Sequence, residues 1–299
     1  MKKRTIRMIA TAGVMVLLLL GACSMIEKGA GTLSSVVGKT DSAVQTAKTI
    51  RRTFGDISEE EEYYIGRSVA ALILSRYPAS KNENLNTYLN TVGQAVAYYS
   101  DRPETYAGYH FLLLDTDEVN ALSAPGGFIF ITKGLLKRCR NEEMLGSILA
   151  HEIGHVVSKH GLRAIKNSRL IEAFQILGES AVEKYGSQQL NSLVNIFEGT
   201  LNDITEKLIE KGYDRKYEYE ADEQAVIYAA RIGYDPQGLT DFLETMVGDE
   251  ETGLGWFRTH PAASDRIKRA DKAIRALKTK PGKEDVRTKR FEEAVRGLK

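Results

Sequence analysis

The chain has few cysteines and no long uncharged apolar run in its body. Cysteine occurs only twice in 299 residues, at Cys23 and Cys139, too rarely for a framework of disulfides. The apolar stretch from Met8 to Leu20 is short for a membrane-spanning helix, which needs about 20 residues. No internal repeat is visible either. The fold is therefore expected to depend on an ordinary hydrophobic core, in which Cys139 is a small buried apolar side chain.

A large excess of charge of one sign is also missing. The chain has 41 basic and 40 acidic residues, a formal net charge of +1. The first acidic residue is Glu27, and without the four basic residues before it the net charge is −3. No strongly basic surface is expected, which argues against nucleic acid as a partner. With 42% hydrophobic and 27% charged residues, the composition is globular, so wholly disordered and collagen-like chains are excluded.

The N-terminus has the three parts of a secretory signal: a basic start, an apolar stretch and the small residues Gly21 and Ala22. Cys23 follows, and the sequence Leu-Gly-Ala-Cys at 20–23 resembles a bacterial lipobox. The resemblance implies that residues 1–22 are removed and that acylated Cys23 anchors the chain to a membrane. Ser24 in the next position implies the periplasmic face of the outer membrane. The alternative is an ordinary signal peptide that ends at a cysteine by chance.

The remaining chain is expected to have three parts. Residues 23–57, rich in Gly, Ser, Thr and Lys, are predicted to be the lipidated N-terminus and a flexible tether. Residues 58–278 are predicted to form the folded domain. Residues 279–299 are a charged C-terminal tail, with one short helix from about Thr288. Acylation of Cys23 would leave Cys139 without a disulfide partner.

Helical patterns dominate residues 58–278. Ser58 and Glu61 form a capping box before apolar positions at helical spacing that end at Pro78. Asn141 begins a segment so apolar that its helix is expected to be central. Further helices are predicted at 84–99, 218–232, 236–247 and 263–277, and amphipathic ones within 162–216. Two strands are predicted, at 110–114 and 128–132, separated by the turn sequence 123–127. The predicted fold class is α+β, mainly α-helical with a small β-sheet.

The central helix contains the pattern HExxH, at His151-Glu152-Ile153-Gly154-His155. The two histidines are about 40° apart around the helix and about 6 Å along it, so both rings can bind one metal ion. Glu152 lies beside them and can accept a proton from a water at the metal. The alternative is a pair of surface histidines. Apolar neighbours on both sides argue against it, because burying such a pair without a partner is costly.

A hydrolytic zinc site needs three protein ligands and one open position, so a third ligand must come from elsewhere. The segment 217–222 offers Glu218 and Asp222, four positions apart on one helix face, whereas Glu220 points roughly 160° away from Glu218. Glu218 is therefore predicted to be the ligand, and Asp222 to accept the free ring N–H of a ligand histidine. The alternative for this acidic cluster is a solvated helix face.

With both segments present, the sequence resembles zinc metallopeptidases of the CAAX prenyl protease and HtpX type, especially their soluble periplasmic relatives. The resemblance covers about residues 58–278. It implies a zincin-like domain, one Zn²⁺ per chain and Glu218 as a zinc ligand. The chain departs from the membrane-embedded members at 162–216, where it has only amphipathic helices. The matching features are Asn120-Ala121, the segment 125–132, Gly134-Leu135-Leu136, HExxH, Glu218 to Asp222, and Thr259-His260-Pro261 followed by Arg266.

The resemblance extends to two further features. It implies that His260 reaches the active site, either as an auxiliary ligand in a resting state or as a donor to the developing oxyanion. The alternative is a loop histidine before a helix. It also suggests that 127–132 is an edge strand to which an extended polypeptide adds, with Gly127, Phe128, Ile129 and Phe130 as substrate-binding residues. A plain hairpin strand is the alternative. His110 and His160 are expected to be structural.

Three functions compete for these residues. A zinc endopeptidase of the cell envelope would act on misfolded or outer-membrane polypeptides, with Glu152 as general base and His260 and Asp222 assisting. A chaperone or assembly factor would instead hold outer-membrane proteins, with its zinc site structural or blocked by His260. Two histidines and a carboxylate are also typical of iron oxygenases. Glu152 is not needed as a metal ligand and can act as a base, which favours hydrolysis.

Overall fold

The computed structural model describes residues 58–163, 205–247, 256–260, 263–277 and 284–298, with the isolated residues 199 and 202. The chain divides into two units, Met1–Asp56 and Ile57–Lys299, and the described residues all belong to the second. The predicted signal peptide, the tether, Cys23 and, except for residue 199, the amphipathic helices around 170–177 and 190–201 lie outside the described residues.

The described part is mainly α-helical with one small sheet, as predicted. A 3₁₀ turn, Pro125–Gly127, joins the second and third strands, and a π-helical turn, Lys207–Lys211, precedes α6. The elements in chain order are α1 (Glu59–Arg76), α2 (Glu83–Tyr98), β1 (His110–Leu114), β2 (Ala121–Ala124), β3 (Phe128–Thr132), α3 (Lys133–Arg138), α4 (Glu142–Val157), α5 (His160–Arg163), α6 (Arg215–Ile232), α7 (Gln237–Met246), α8 (Trp256–Thr259), α9 (Ala263–Ala276) and α10 (Glu284–Val295).

The three strands form a mixed sheet in the order β1-β3-β2. β3 pairs in parallel with β1 and antiparallel with β2, so the prediction that residues 127–132 form an edge strand is wrong. The unpredicted strand β2 explains the error. Its sequence, Ala-Leu-Ser-Ala, lacks the β-branched and aromatic residues that indicate a strand, and only its pairing with β3 defines it.

Amide side chains of α2 close the other edge of the sheet, along β1. Asn90 binds the backbone of Phe111 twice, donating to its carbonyl at 2.6 Å and accepting from its N–H at 3.3 Å. One turn away on each side, Asn86 accepts from the N–H of Leu113 at 2.9 Å, and Gln94 donates to the carbonyl of Tyr109 at 2.6 Å. Together with the backbone of residues 78–80, which pairs with the end of β1, these side chains take the place of a fourth strand.

Helix α4 is central, as its apolar sequence predicts. The side chain of Asn141 caps its first turn by accepting from the N–H of Met144, and every residue from Glu142 to Val156 is buried. The helix contacts α2, α6, α7, α10 and β2. At Gly154 a Cβ atom would lie 3.2 Å from the Cα of Ala221. The absence of a side chain there allows α6 to pack closely beside the HExxH segment.

Helix α10 packs on α4. It begins at Glu284, four residues before the predicted start, and its Phe291 and Val295 are buried in the main core cluster. Arg290 forms an ion pair with the fully buried Glu142. The segment predicted as a charged tail therefore supplies a helix to the core. Among the described helices, none is both long enough and apolar enough to cross a membrane.

Candidate metal centre

Helix α4 brings the two histidines of HExxH together. The Nε2 atoms of His151 and His155 are 3.0 Å apart, and neither side chain is more than 1% exposed. The spacing of one helical turn therefore aims both rings at the same point, as the sequence predicts. Trp256 and Tyr213 fix the ring positions from the outside, with ring centroids 5.7 Å from His151 and 4.4 Å from His155, respectively.

Helix α6 supplies the carboxylate that faces these nitrogens. Oε1 of Glu218 lies 3.4 Å from Nε2 of His155, and its Oε2 lies 3.6 Å from Nε2 of His151. Glu218 is fully buried. Glu220, two residues along, instead contacts Ser158 and His160. The arrangement favours Glu218 over Glu220 as the third ligand, in agreement with the prediction from helix geometry.

His260, at the end of α8, joins the same group. Its Nδ1 lies 3.0 Å from Oε2 of Glu218 and 3.3 Å from Nε2 of His151. The indole of Trp256 stacks on its ring, with centroids 4.0 Å apart and planes at 21°. His260 is only 2% exposed, so it is not a loop histidine in solvent.

These residues fit a tetrahedrally bound cation. One potential ligand atom from each of His151, His155, Glu218 and His260 lies within 4.8 Å of the others. At a zinc–ligand distance of about 2.1 Å, neighbouring ligand atoms in a tetrahedron are separated by roughly 3.4 Å, close to the distances found here. Three imidazoles and one carboxylate are ligands typical of zinc.

The carboxylate of Glu152 has no hydrogen-bond partner for either oxygen, although the residue is fully buried. The nearest basic side chain is that of His260, whose Nε2 lies 3.6 Å from Oε1. Burying a carboxylate with neither oxygen satisfied is costly, and native proteins rarely do it without a ligand to bind. Glu152 therefore fits a role in which its partner is a bound water or substrate.

Asp222 and Arg266 contact the four candidate ligands on the side away from the point that the ligands share. Arg266, fully buried, donates two hydrogen bonds of 2.8 Å to Asp222, and its Nη1 lies 3.0 Å from Oε2 of Glu218. Oδ1 of Asp222 lies 2.9 Å from Nδ1 of His151, although the ring N–H is not aligned for a good hydrogen bond. Asp222 thus lies beside His151, and its role in orienting that ring stays a prediction.

Arg266 also keeps the buried carboxylates ionised. Burial would raise the pKa of Asp222, but the charge and hydrogen bonds of Arg266 lower it to about 2. Burial likewise opposes ionisation of Glu218, but the charges of His260 and Arg266 hold its pKa well below the usual range. Anionic oxygens inside a closed site are suited to a cation.

The predicted substrate-binding residues do not line this centre. Gly127, Phe128, Ile129 and Phe130 belong to the turn and to the central strand β3, whose backbone pairs on both sides. The edge strand β2 lies nearer: Ala121, Leu122 and Ser123 line a narrow cavity together with Glu152, Tyr213 and His260. Cys23 lies outside the described residues.

Sequence reasoning left three contacts of the centre undescribed. Tyr213 stacks on His155, Trp256 stacks on His260, and His160 places its Nδ1 2.8 Å from Nδ1 of His155. Only His160 carries a sequence signal, because it follows the HExxH motif by five residues. Tyr213 and Trp256 come from distant segments, and no spacing connects them to the motif.

Comparison with known proteins agrees with this geometry. The sequence pattern of Peptidase family M48 matches residues 83–274. The beta-barrel assembly-enhancing protease of Escherichia coli (strain K12) is 25% identical over 228 residues, which cover 75% of this chain and 46% of that protein. The chain thus spans about half the length of these relatives.

Two further relatives carry metalloprotease names. Metalloprotease YcaL of Escherichia coli (strain K12) is 30% identical over 190 residues, covering 63% of this chain and 69% of that protein. The mitochondrial metalloendopeptidase OMA1 of Schizosaccharomyces pombe (strain 972 / ATCC 24843) is 26% identical over 229 residues, covering 74% of this chain and 63% of that protein. The family match includes α4, α6 and His260, and the chain belongs to Peptidase family M48.

Proposed function

We propose that the protein is a zinc-dependent endopeptidase that hydrolyses polypeptides, with His151, His155 and Glu218 as zinc ligands and Glu152 as general base. One observation carries the proposal: two HExxH nitrogens and the Glu218 carboxylate converge within 4.8 Å, beside a buried glutamate whose two carboxylate oxygens accept no hydrogen bond. A purely structural metal site has no use for such a base.

Each residue has a distinct part in hydrolysis. Zinc, when bound, would supply the positive charge that polarises the scissile carbonyl and the attacking water. Glu152 accepts the proton of that water and returns it to the leaving amine. Asp222 orients His151, and Arg266 keeps Asp222 in place. The surrounding core excludes bulk water, because all these side chains are buried.

The polypeptide substrate is proposed to bind along β2 rather than β3. In the described sheet, β2 has a strand on one side only, and three of its residues line the narrow cavity that contains Glu152. All four residues of β2 are buried, so a peptide reaches this edge only after the side chains that cover it move. An extended peptide can add to such an edge through backbone hydrogen bonds, which bind many sequences alike. The opposite edge of the sheet is closed by the amide side chains of α2.

The decisive experiment replaces Glu152 by Gln, which has nearly the same size but cannot act as a base. Cleavage of an unfolded protein substrate should fall by at least about 100-fold, while zinc content stays near one ion per chain. Glu223→Gln, an exposed change on α6, is the control. Unchanged proteolysis in Glu152→Gln would refute the proposal, and iron at full occupancy would refute the choice of zinc.

We further propose a place in the cell. The lipobox-like sequence before Cys23 supports a lipid anchor at the periplasmic face of the outer membrane, and one set of relatives is named for enhancing β-barrel assembly. Misfolded or unassembled outer-membrane proteins are the corresponding substrates. Incorporation of labelled palmitate into the wild-type chain, and its absence in Cys23→Ser, tests the anchor. Equal labelling of the two proteins would disprove it.

A second function is favoured by the position of His260. Because its Nδ1 lies among the other ligand atoms, four protein donors are available and no position need stay open for water. A closed site of this kind suits a chaperone or assembly factor that holds outer-membrane polypeptides without cutting them. Expression of Glu152→Gln in a strain that lacks the protein separates the two functions. Full rescue of envelope integrity would favour the chaperone, and failure would favour the peptidase.

A further inference from the structure

His160 contacts the proposed zinc ligand His155 from the side away from the other proposed ligands. Lys159, just before it, has a positive φ of 54°, and this turn directs α5 back under the end of α4. As a result the fully buried ring of His160 places Nδ1 only 2.8 Å from Nδ1 of His155. A contact this short between two ring nitrogens is a hydrogen bond that holds one proton.

The direction of that hydrogen bond follows from the ligand role of His155. Its Nε2 faces His151 and Glu218, so this atom must offer a lone pair to a metal. A neutral imidazole carries one proton, which must then be on Nδ1 and be donated to His160. Nδ1 of His160 accepts it, and the proton of His160 is therefore on Nε2. That nitrogen lies 3.2 Å from Oε2 of Glu220, which can accept in turn.

Hydrogen bonds fix the carboxylate of Glu220, the last member of this series of hydrogen-bonded side chains. Its Oε1 accepts a hydrogen bond of 2.9 Å from the hydroxyl of Ser158, and Gln224 donates to the same hydroxyl at 2.9 Å. Arg163 lies 3.3 Å from Oε2. The carboxylate is 42% exposed, so it connects the buried histidines to the protein surface.

The two HExxH histidines are thus supported differently. His151 has the carboxylate of Asp222 beside its Nδ1, at 2.9 Å. At His155 the imidazole of His160 takes that place, and the carboxylate of Glu220 lies behind His160. Groups behind a metal ligand fix its tautomer and orientation, and their loss weakens metal binding by about 10- to 100-fold.

We propose that His160 is a positioning residue that fixes His155 with its Nε2 lone pair towards the metal, and that Glu220 completes the chain His155–His160–Glu220. This inference rests on the proposed function, because it requires His155 to be a metal ligand. It assigns to His160 a role that ring packing alone does not provide, although the ring also lies against Tyr217, with centroids 4.5 Å apart.

The test measures binding of Zn²⁺ alone to the full chain, by competition with a chromophoric chelator. His160→Phe keeps an aromatic ring but has no acceptor for His155. His160→Asn loses the ring but keeps an oxygen near the position of Nδ1. We expect the dissociation constant to rise by about 10- to 100-fold in His160→Phe and by less in His160→Asn. A purely packing role reverses this order, so His160→Phe binding as tightly as His160→Asn, or more tightly, overturns the proposal.

Glu220, the partly exposed residue of the series His155–His160–Glu220, provides a second variant that does not disturb the core. Glu220→Ala should weaken Zn²⁺ binding by about tenfold, whereas Glu223→Ala, an exposed change on the same helix, should leave it within about twofold. Visible absorption of the Co²⁺-loaded proteins should shift in Glu220→Ala and not in Glu223→Ala. If His160→Phe does not fold, the comparison of Glu220→Ala with Glu223→Ala decides. Equal Zn²⁺ dissociation constants for these two variants overturn the proposal.

The wild-type chain separates this inference from the proposed function. If it binds neither Zn²⁺ nor Co²⁺, both fail. If it binds one ion per chain and the His160 and Glu220 variants bind equally well, only the role of His160 fails.

Discussion

At the scale of single residues, His260 bears on whether a fourth position around a bound cation would be open. Its Nδ1 lies 3.0 Å from Glu218 and 3.3 Å from His151, within reach of the point that the proposed ligand atoms share. If His260 binds the ion, the four-donor arrangement is a resting state, and hydrolysis requires His260 to move. An open state of this kind is typically a minor population, at or below about 10%.

Replacing His260 by Ala should therefore raise the rate of proteolysis, by about tenfold if the open state is populated at that level. Zinc content should remain near one ion per chain, because His151, His155 and Glu218 are still present. Initial rates on an unfolded protein substrate measure the effect. A fall in rate with unchanged zinc content would instead assign His260 to stabilising the oxyanion.

Cys139 illustrates how burial changes a single group. It is 5% exposed, as its sequence context suggests, and burial raises the pKa of its thiol above the ordinary value of 9.0. Above that value the unfolded chain loses the thiol proton while the folded protein keeps it. The unfolded state then binds fewer protons, so the free energy of unfolding must fall as pH rises.

The expected fall is about 1.4 kcal/mol for each pH unit above the ordinary pKa. Urea unfolding of the wild type and of Cys139→Ala at about pH 8 and about pH 10 isolates this contribution from that of the tyrosines. The wild type should lose about 1 kcal/mol more than the variant over this range. Equal losses would mean that the thiol is accessible to solvent in the folded protein.

At the scale of elements, α2 protects the edge of β1. Because Asn90 satisfies both the N–H and the carbonyl of Phe111, Asn90→Ala leaves two backbone groups without their partners. The free energy of unfolding should fall by about 1–3 kcal/mol, as measured by urea denaturation. Thr87→Ala, an exposed change on the same helix, should cost less than about 0.5 kcal/mol. Similar losses in the two variants would show that the edge does not depend on Asn90.

The elements that the sequence predicts well are those defined by local patterns. Helix α4, its start near Asn141 and the pairing of His151 with His155 all follow from the local sequence of one helix. The same spacing predicts Glu218 rather than Glu220 as the ligand. Strand β2 could not be predicted, because its small side chains acquire their conformation from β3. The wrong edge assignment for β3 followed directly from that omission.

Contacts between distant elements were beyond the same reasoning. Arg266 was recognised only by its place after His260, and nothing in the sequence shows that its guanidinium is buried against Asp222. His160 has the right type and position to support a ligand. Its angle around an extended α4 would point away from His155, and only the turn at Lys159 brings it back.

At the scale of the whole molecule, the C-terminal helix is part of the folded unit. Phe291 is 2% exposed in the main core, and Glu142 accepts hydrogen bonds of 2.8 Å from Tyr88 and Tyr234 besides its ion pair with Arg290. Removal of α10 would uncover apolar surface of α4 and leave Glu142 without its positive partner. Both effects destabilise the domain that holds the metal ligands.

Phe291→Ala should accordingly lower the free energy of unfolding by about 3–5 kcal/mol. Val286→Ala is the matched control on the same helix, since Val286 is 63% exposed and should cost less than about 0.5 kcal/mol. Thermal unfolding followed by circular dichroism compares them. Equal melting temperatures for both variants and the wild type would show that α10 is dispensable for stability.

The stacking of Trp256 on His260 has a practical consequence. This indole is the only one in the 299 residues, and its ring lies 4.0 Å from the imidazole. Its fluorescence is therefore the signal of a single chromophore placed at the centre itself. Any ion, inhibitor or peptide that displaces the imidazole must change the emission, so occupancy of the unlabelled protein can be followed in real time with a fluorimeter.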